Sequence, residues 1–579
     1  MPSTPHPAHP AHRAAPPRAN ARIPRPFCLL PASLLAGAAL LAGCGGSDHA
    51  APEVSAASQG REVFRYETFG NQGFWTDAMQ LPQGIAEAKV TPLAALSLGL
   101  NVNAEALSAG TAKALTDALA EIKAGKPATD TVLNNPAVTL SLINEGAVIG
   151  VVPFDSQGRR KPLGSDPKFS PTDKLDLARG DKVGVSCALC HARTDNSIVP
   201  AGFAGLAGSV GRQVDGPNAL KLDVGNILAA SKNPLAYLPM LQLAFATLDG
   251  ASIGQAGSRG LKDGATNADA RAYLTASNAQ GERFYPVGTF DALPDGINNA
   301  AYVQPFFRTD LAGPWGHSGT FDKLDDFNNF VYTVPLDPTI LATPDGRALL
   351  TALAGPVGQE ISTRYQKVLK DSGLEGKYPY VRADASGRPI GDLAGPAGKR
   401  VDNARLAALR AYTDQLRSPA PPMNLDLARV ARGQSVFTEA GCTACHNADP
   451  NKPVPGTITA VQTLYQPFSP TTLYARQAPL TDVRKSFDNG PGPSYDNELV
   501  VINASLRGQP AGLASPLLLG LDGRTDFLHD GSVERASTSE SLQWLLDPAR
   551  SALAPHPFYV TDASDRSALA QYLRSRSAD

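Results

Sequence analysis

Apolar residues recur at helical spacing in several stretches of the chain. Leu and Tyr lie on one face of Arg405–Leu416 and again on one face of Ser567–Arg574, and further helical patterns cover Leu425–Phe437 and Ala104–Lys123. The short apolar run Ala147–Pro153 is typical of a strand. The pattern therefore predicts a mainly α-helical protein with few short strands.

Glycine and proline interrupt this pattern often. The chain has 53 Gly and 49 Pro among 579 residues, which predicts long loops between the helices. The prolines in Ser418–Pro422 cannot continue a helix and mark a domain boundary there. A chain of this length has room for two or three domains, and its formal net charge of −2 gives no sign of a nucleic-acid surface.

The N-terminus has the layout of a bacterial export signal. An apolar run from Phe27 to Leu41 follows basic residues and is too short to span a bilayer. It leads into Leu-Ala-Gly-Cys44, which resembles a lipobox, and the next residue is Gly45, which resembles sorting to the outer membrane. We therefore expect a signal at residues 1–44 with Cys44 lipidated, a flexible tether at 45–60, and a lipid-anchored periplasmic protein. The alternative is an ordinary signal peptide with a chance cysteine.

The remaining cysteines indicate a covalently bound cofactor. Of six cysteines, Cys28 lies in the signal run and Cys44 in the lipobox. The other four form two Cys-x-x-Cys-His motifs, made of Cys187, Cys190 and His191 and of Cys442, Cys445 and His446. This spacing presents two sulfurs to one edge of a haem for thioether attachment and puts the histidine under the iron as proximal ligand.

Two other kinds of site use paired cysteines. A four-cysteine zinc site has its pairs about 15–20 residues apart, whereas Cys190 and Cys442 are far apart in this chain. A redox-active thiol pair does not require the histidine that follows each pair here. Two complete motifs in an exported chain therefore favour two haems c.

A weak internal repeat follows the haem motifs. Each motif is followed by a His-x-Gly element, at His317 and at His529, and then by one of the Leu/Tyr helices. A helix with Gly433 and Phe437, then the second motif, then a terminal Leu/Tyr helix is similar to the cytochrome c fold. We therefore predict cytochrome c-like domains at residues 181–417 and 423–579, preceded by an N-terminal extension at 61–180 of unassigned function.

Three segments together resemble the bacterial di-haem cytochrome c peroxidase superfamily, namely Val183–Asn196, Asp215–Asn218 and Phe527–Val533. The resemblance implies one haem that accepts electrons and one reactive haem, often with calcium at the domain interface. It also implies a small periplasmic electron donor of the cytochrome or cupredoxin type, with hydrogen peroxide as the oxidant. Relatives that cleave rubber make a small organic or polymer substrate an alternative.

The sixth iron ligand separates an electron carrier from a catalyst, and the sequence departs from the family at this point. Family members often close the second haem with Met or Tyr after the Phe-Leu-His-Asp-Gly motif, but Glu534–Asp547 contains neither. Peroxidases of the family carry a distal His soon after the first motif, yet none occurs between His191 and His317. The candidate sixth ligands are therefore His317, His529 and His556, with Tyr332 as a weaker one. For His529 the alternative is hydrogen bonding within a loop beside the haem.

Trp315 matches, by its neighbourhood, the tryptophan that family members place between the haems as an electron relay, and packing is the alternative. Asp215, Asn218 and Asp530 are candidates for contacts with calcium or haem carboxylates, or for loop caps. Three functions stay open: a peroxidase-like oxidoreductase, an electron-transfer lipoprotein with two six-coordinate haems, and a di-haem oxygenase.

Overall fold

The computed structural model describes most of the chain after the predicted signal and tether. Described are residues 55–246, 261–276, 285, 287–291, 300–317, 319, 321, 323–381, 401–456, 458–460, 512–529, 531, 533–550, 556 and 559–577. The predicted lipidation site Cys44 and the candidate Asp530 lie outside these residues.

The described residues are mainly helical, as the hydrophobic pattern predicts. The helices are α1 (Ala56–Tyr66), α2 (Leu81–Glu87), α3 (Pro92–Ser97), α4 (Ala109–Lys123), α5 (Pro136–Asn144), α6 (Ala188–His191), α7 (Val224–Ala229), α8 (Leu238–Ala246), α9 (Asn267–Thr275), α10 (Leu324–Thr333), α11 (Pro344–Asp371), α12 (Asn403–Thr413), α13 (Leu427–Glu439), α14 (Thr538–Leu545) and α15 (Ala563–Ser575). None of these helices is both long and apolar enough to cross a bilayer.

The strands of the described chain are short and form two-stranded sheets. They are β1 (Val102–Asn103), β2 (Val151–Phe154), β3 (Lys182–Val185), β4 (Ala192–Thr194), β5 (Val210–Gly211), β6 (Gln213–Asp215), β7 (Thr289–Asp291), β8 (Ala300–Tyr302), β9 (Ile458–Ala460), β10 (Gly512–Ala514), β11 (Asp526–Phe527) and β12 (Val533–Glu534). β1 pairs with β5 in parallel, whereas β2–β3, β4–β6, β7–β8, β9–β10 and β11–β12 are antiparallel.

Two helix pairs of the same construction form the main helix contacts, α1 with α12 and α13 with α15. In each pair a glycine of the first helix lies against the backbone of the second. A Cβ atom on Gly60 would collide with the carbonyl of Ala408, and one on Gly433 would collide with the carbonyl of Ala568. Glycine is therefore the residue that lets these helix backbones approach so closely.

Each pair also has an aromatic contact one turn beyond its glycine. Phe64 and Tyr412 have ring centres 5.8 Å apart, and Phe437 and Tyr572 have ring centres 5.7 Å apart. Aspartate side chains accept hydrogen bonds from first-turn amides and so fix the starts of three of the helices, at Asp402, Asp426 and Asp562. Both the lengths and the crossing points of the pairs thus follow from local sequence.

Helix α1 includes residue 60, where the sequence predicts that the tether ends and the extension begins. It packs on α12, which follows the first Cys-x-x-Cys-His motif. We call residues 67–186, which separate α1 from this motif in the sequence, the insertion. Leu119 and Leu142 of the insertion share an apolar core with Val199 and Val210, which follow the motif.

Two predicted elements of the insertion form with shifted ends. The helix expected over Ala104–Lys123 starts at Ala109, because the Ser108 side chain accepts a hydrogen bond from the amide of Thr111 and caps the first turn. The apolar run expected as a strand contributes β2, which begins only at Val151.

Candidate functional site

Both Cys-x-x-Cys-His motifs line one cavity of about 580 Å³. Its described lining is mostly aliphatic and aromatic and includes no Asp, Glu or Lys. Arg524 is the one arginine among these lining residues. An enclosed apolar cavity with a few polar groups is the usual form of a cofactor or ligand site.

The first motif lies in a short helical turn between β3 and β4. Backbone hydrogen bonds hold this turn from the far side, because the amides of Gly216 and Ala219 donate to the carbonyls of His191 and Cys190 at 2.8 Å. The segment that contains Asp215 and Asn218 therefore braces the attachment turn through its backbone.

The surroundings of His191 suit a neutral metal ligand. Its Nδ1 donates to the carbonyl oxygen of Gln304 at 2.8 Å, and its ring stacks on Phe306 with 3.9 Å between ring centres. Burial lowers the pKa of the imidazole to about 4. A neutral ring that donates Nδ1–H to a backbone carbonyl leaves Nε2 available to a metal.

The two cysteines of the first motif lie in an apolar wall. Burial raises the pKa of the Cys187 thiol to about 11 and that of the Cys190 thiol to about 12. The Tyr332 hydroxyl lies 3.2 Å from the sulfur of Cys187 and donates to the carbonyl of Glu67 at 3.2 Å. The Tyr332 hydroxyl therefore lies beside the first motif, and its role as a sixth ligand stays a prediction.

The second motif follows α13 directly. Gly441, with φ of 70°, turns the chain from the helix into the Cys442–Ala444 turn. The Nδ1 of His446 donates to the carbonyl oxygen of Pro516 at 3.2 Å. His446 therefore has the same kind of backbone acceptor as His191, which again leaves Nε2 available to a metal.

His556, one of the candidate sixth ligands, lies close to His446. The ring centres of His446 and His556 are 6.1 Å apart, and the ring planes differ by 29°. Metal–imidazole bonds are about 2 Å long, so an iron between two Nε2 atoms sets the ring centres roughly 6 Å apart. Arg550 donates to the backbone carbonyl of His556 and its guanidinium lies 4.8 Å from the ring centre of Tyr559, which helps to hold this loop.

The other predicted ligand and relay residues also reach the cavity wall. His317, His529 and Trp315 all line it. The carbonyl of His529 accepts from the amide of Tyr302 at 2.5 Å, and the carbonyl of His317 accepts from the amide of Ala514 at 2.7 Å. The buried Nε1 of Trp315 has no hydrogen-bond partner among the described residues.

The Asp215 carboxylate already accepts hydrogen bonds from other side chains. It accepts hydrogen bonds at 2.6 Å from Nε of Arg65 and from the hydroxyl of Tyr412, and it thereby ties β6 to α1 and α12. Asn218 donates to the hydroxyl of Tyr302 at 2.9 Å. Among the described residues no group of three or more His, Cys, Asp or Glu could hold a metal ion. The expected calcium site stays a prediction.

Sequence reasoning missed Arg524 and the helix α1. Arg524 precedes the Phe-Leu-His-Asp-Gly motif but belongs to no pattern of its own. Gly60 and Phe64 do carry a signal, because their spacing equals that of Gly433 and Phe437. A search for that spacing upstream of the first motif would have found α1.

Comparison with known proteins adds little to this geometry. No protein-family model matches the chain, and no curated protein matches it. A solved structure of hydrazine synthase from Kuenenia stuttgartiensis, pressurised with xenon, is similar over 59% of this chain and 88% of that chain, at a TM-score of 0.24 and 14% sequence identity. A likeness at this TM-score establishes neither a shared fold nor a shared function.

Proposed function

We propose that the chain is a di-haem c-type oxidoreductase with two cytochrome c-like units. In this proposal, Cys187, Cys190 and His191 hold one haem, and Cys442, Cys445 and His446 hold the other. Support comes from the apolar cavity that both motifs line and from the glycine-centred helix pair beside each motif. When bound, a haem supplies one-electron redox chemistry and one coordination position that the protein either fills or leaves open.

The single observation that carries the division of labour is the 6.1 Å spacing between the rings of His446 and His556. Two imidazoles at this spacing could hold one iron between them and exclude other ligands, which would suit electron transfer. His191 instead packs flat on Phe306, and its wall of the cavity is aromatic and aliphatic. We therefore assign electron entry to the second site and substrate chemistry to the first.

The substrate is either a peroxide or an apolar organic molecule. The family resemblance favours peroxide reduction with electrons from a small periplasmic donor. The composition of the cavity favours the second candidate, a di-haem oxygenase, because its described lining is mostly aliphatic and aromatic and suits an apolar substrate.

The proposal predicts how many haems bind carbon monoxide. The fully reduced protein should bind one carbon monoxide per two haems, because His556 closes the second site. His556→Ala should raise this to two, and its ferric spectrum should gain a high-spin component. His317→Ala is the matched control, since His317 also lines the cavity, and it should leave the count at one.

Other numbers of carbon monoxide molecules bound per protein would exclude parts of the proposal. No carbon monoxide binding by the unchanged protein would mean two closed haems and an electron carrier without substrate chemistry. A count of one in His556→Ala would remove His556 from the iron. Turnover of peroxide by the half-reduced protein would decide for the peroxidase, and stable oxygen binding without peroxide turnover would decide for the oxygenase.

The predicted location belongs to the same proposal. The lipobox supports a protein anchored by Cys44 to the periplasmic side of the outer membrane. Replacement of Cys44 by Ser should release the haem protein into the soluble periplasmic fraction. Retention of that variant in the membrane fraction would contradict the lipid anchor.

A further inference from the structure

Arg524 is a buried cation in an apolar cavity. Its side chain is only 6% exposed, and its Nε has no hydrogen-bond partner among the described residues. The nearby Asp526 carboxylate accepts instead from Nζ of Lys221 at 3.2 Å. Because burial of a guanidinium without a carboxylate partner is unfavourable, this arrangement favours an anion that binds here.

Aromatic rings from both units hold the guanidinium of Arg524. Its central carbon lies 5.1 Å from the ring centre of Tyr302 and 5.4 Å from that of Phe527. Tyr302 is fixed in turn by Asn218, which donates to its hydroxyl, and by the carbonyl of His529, which accepts from its amide. The stacking fixes the plane of the guanidinium, so its remaining N–H groups have a set direction.

No ion pair links Arg524 to a carboxylate among the described residues, and the carboxylate of Asp526 pairs with Lys221. The positive charge of Arg524 is therefore not neutralised by a carboxylate of the described chain.

We propose that Arg524, with Tyr302, forms an anion site that binds a carboxylate of the haem at the second motif. Haem brings propionate carboxylates into an otherwise apolar cavity, and a planar guanidinium binds a carboxylate through two parallel hydrogen bonds. Phe527 shares the apolar core around Cys442, which favours the second haem over the first.

This inference rests on the proposed function, since it requires two bound haems. The test measures the midpoint potential of each haem by spectroelectrochemistry in Arg524→Gln, after a haem assay has shown that both haems remain attached. Loss of a positive charge beside a carboxylate should disfavour the ferrous state of the second haem about tenfold, which is about 59 mV for one electron. Arg524→Lys should restore most of the shift, and the exposed Arg212→Gln should leave both potentials unchanged.

Several outcomes would overturn the inference without touching the proposed function. Two attached haems with unchanged potentials in Arg524→Gln would mean that Arg524 does not face a haem carboxylate. A potential of the unchanged protein that depends on added phosphate would show that a free anion occupies the site. If Arg524→Gln does not fold, the propionate bending modes in resonance Raman spectra of Arg524→Lys and the unchanged protein should still differ, and identical modes would count against the inference.

Discussion

The first and second Cys-x-x-Cys-His sites have the same framework and different surroundings. Each framework is a helix pair in which a glycine, Gly60 or Gly433, lies against a backbone carbonyl of the partner helix. Each proximal histidine donates from Nδ1 to a backbone carbonyl, that of Gln304 or of Pro516. The parts that would position a haem are therefore repeated.

The differences lie around this framework. The first motif follows the long insertion, and its cysteine Cys187 lies 3.2 Å from the Tyr332 hydroxyl. The second motif follows its helix directly, and His556 stands across from His446. Two copies of one framework can thus serve different chemistry, because function depends on the groups that each copy brings to the open side of the metal.

Removal of the attachment cysteines should have the largest effect. Replacing Cys187 and Cys190 by alanine, or Cys442 and Cys445 by alanine, should halve the covalent haem measured after acid–acetone extraction, because thioether bonds resist the extraction. The two double variants should differ in how much haem stays bound without a covalent link. The second site should keep some through His446 and His556, and the first should keep less, with His191 as its proposed protein ligand.

The haem content of native protein after gel filtration, compared with the extracted sample, separates these two cases. Unchanged covalent haem in either double variant would refute that attachment site. Equal non-covalent retention in both variants would mean that the two sites do not differ in ligand number.

Alanine in place of the packed glycines should have the next largest effect. Gly60→Ala and Gly433→Ala each force a methyl group into a backbone carbonyl of the partner helix. Overpacking of this kind costs about 1–3 kcal/mol, so both variants should unfold at lower urea concentration. Gly110→Ala is the control, because nothing lies within 4 Å of a Cβ at this position in the exposed first turn of α4.

If the two helix pairs are equivalent, Gly60→Ala and Gly433→Ala should lose similar stability when each is followed by the absorbance of its own haem. Gly110→Ala should unfold no earlier than the unchanged protein, because helical alanine is favoured over glycine by roughly 0.5–1 kcal/mol. A Gly60→Ala variant as stable as the Gly110→Ala control would mean that α1 does not pack as tightly as α13.

Local sequence predicted the second helix pair better than the first. Gly433 and Phe437 stand directly before their haem motif, so the spacing of helix, motif and final helix was visible in the chain. Gly60 and Phe64 are separated from Cys187 by a long insertion, which hides the same arrangement. Helix packing depends on contacts in space, and the insertion separates α1 from α12 in the sequence while the two helices stay in contact.

The sequence predicts which residues attach the haems, but it leaves the sixth iron ligands open. The spacing within each Cys-x-x-Cys-His motif is enough to predict the attachment cysteines and the proximal histidine. His556 has no motif, and only its ring position relative to His446 distinguishes it from His317 and His529. Arg524 is recognised by its burial in the cavity, a property that appears only when distant segments come together.

The smallest expected effect concerns the hydroxyl of Tyr332. Tyr332→Phe removes the group that lies 3.2 Å from the Cys187 sulfur and keeps the ring, which packs against Phe69 with ring centres 4.6 Å apart. A net hydrogen bond contributes about 0.5–1.5 kcal/mol, so the variant should lose about that much stability. Because the hydroxyl lies beside Cys187, the substitution should shift the midpoint potential of the first haem and leave that of the second unchanged.

Tyr365→Phe is the matched control for this prediction. The Tyr365 hydroxyl is equally buried and donates to the carbonyl of Ala236 at 2.6 Å, away from the sulfur of Cys187. It should lose similar stability and leave both potentials unchanged. Equal potential shifts in the two variants would mean that the Tyr332 hydroxyl acts through general packing, and the contact with Cys187 would then not distinguish the first site from the second.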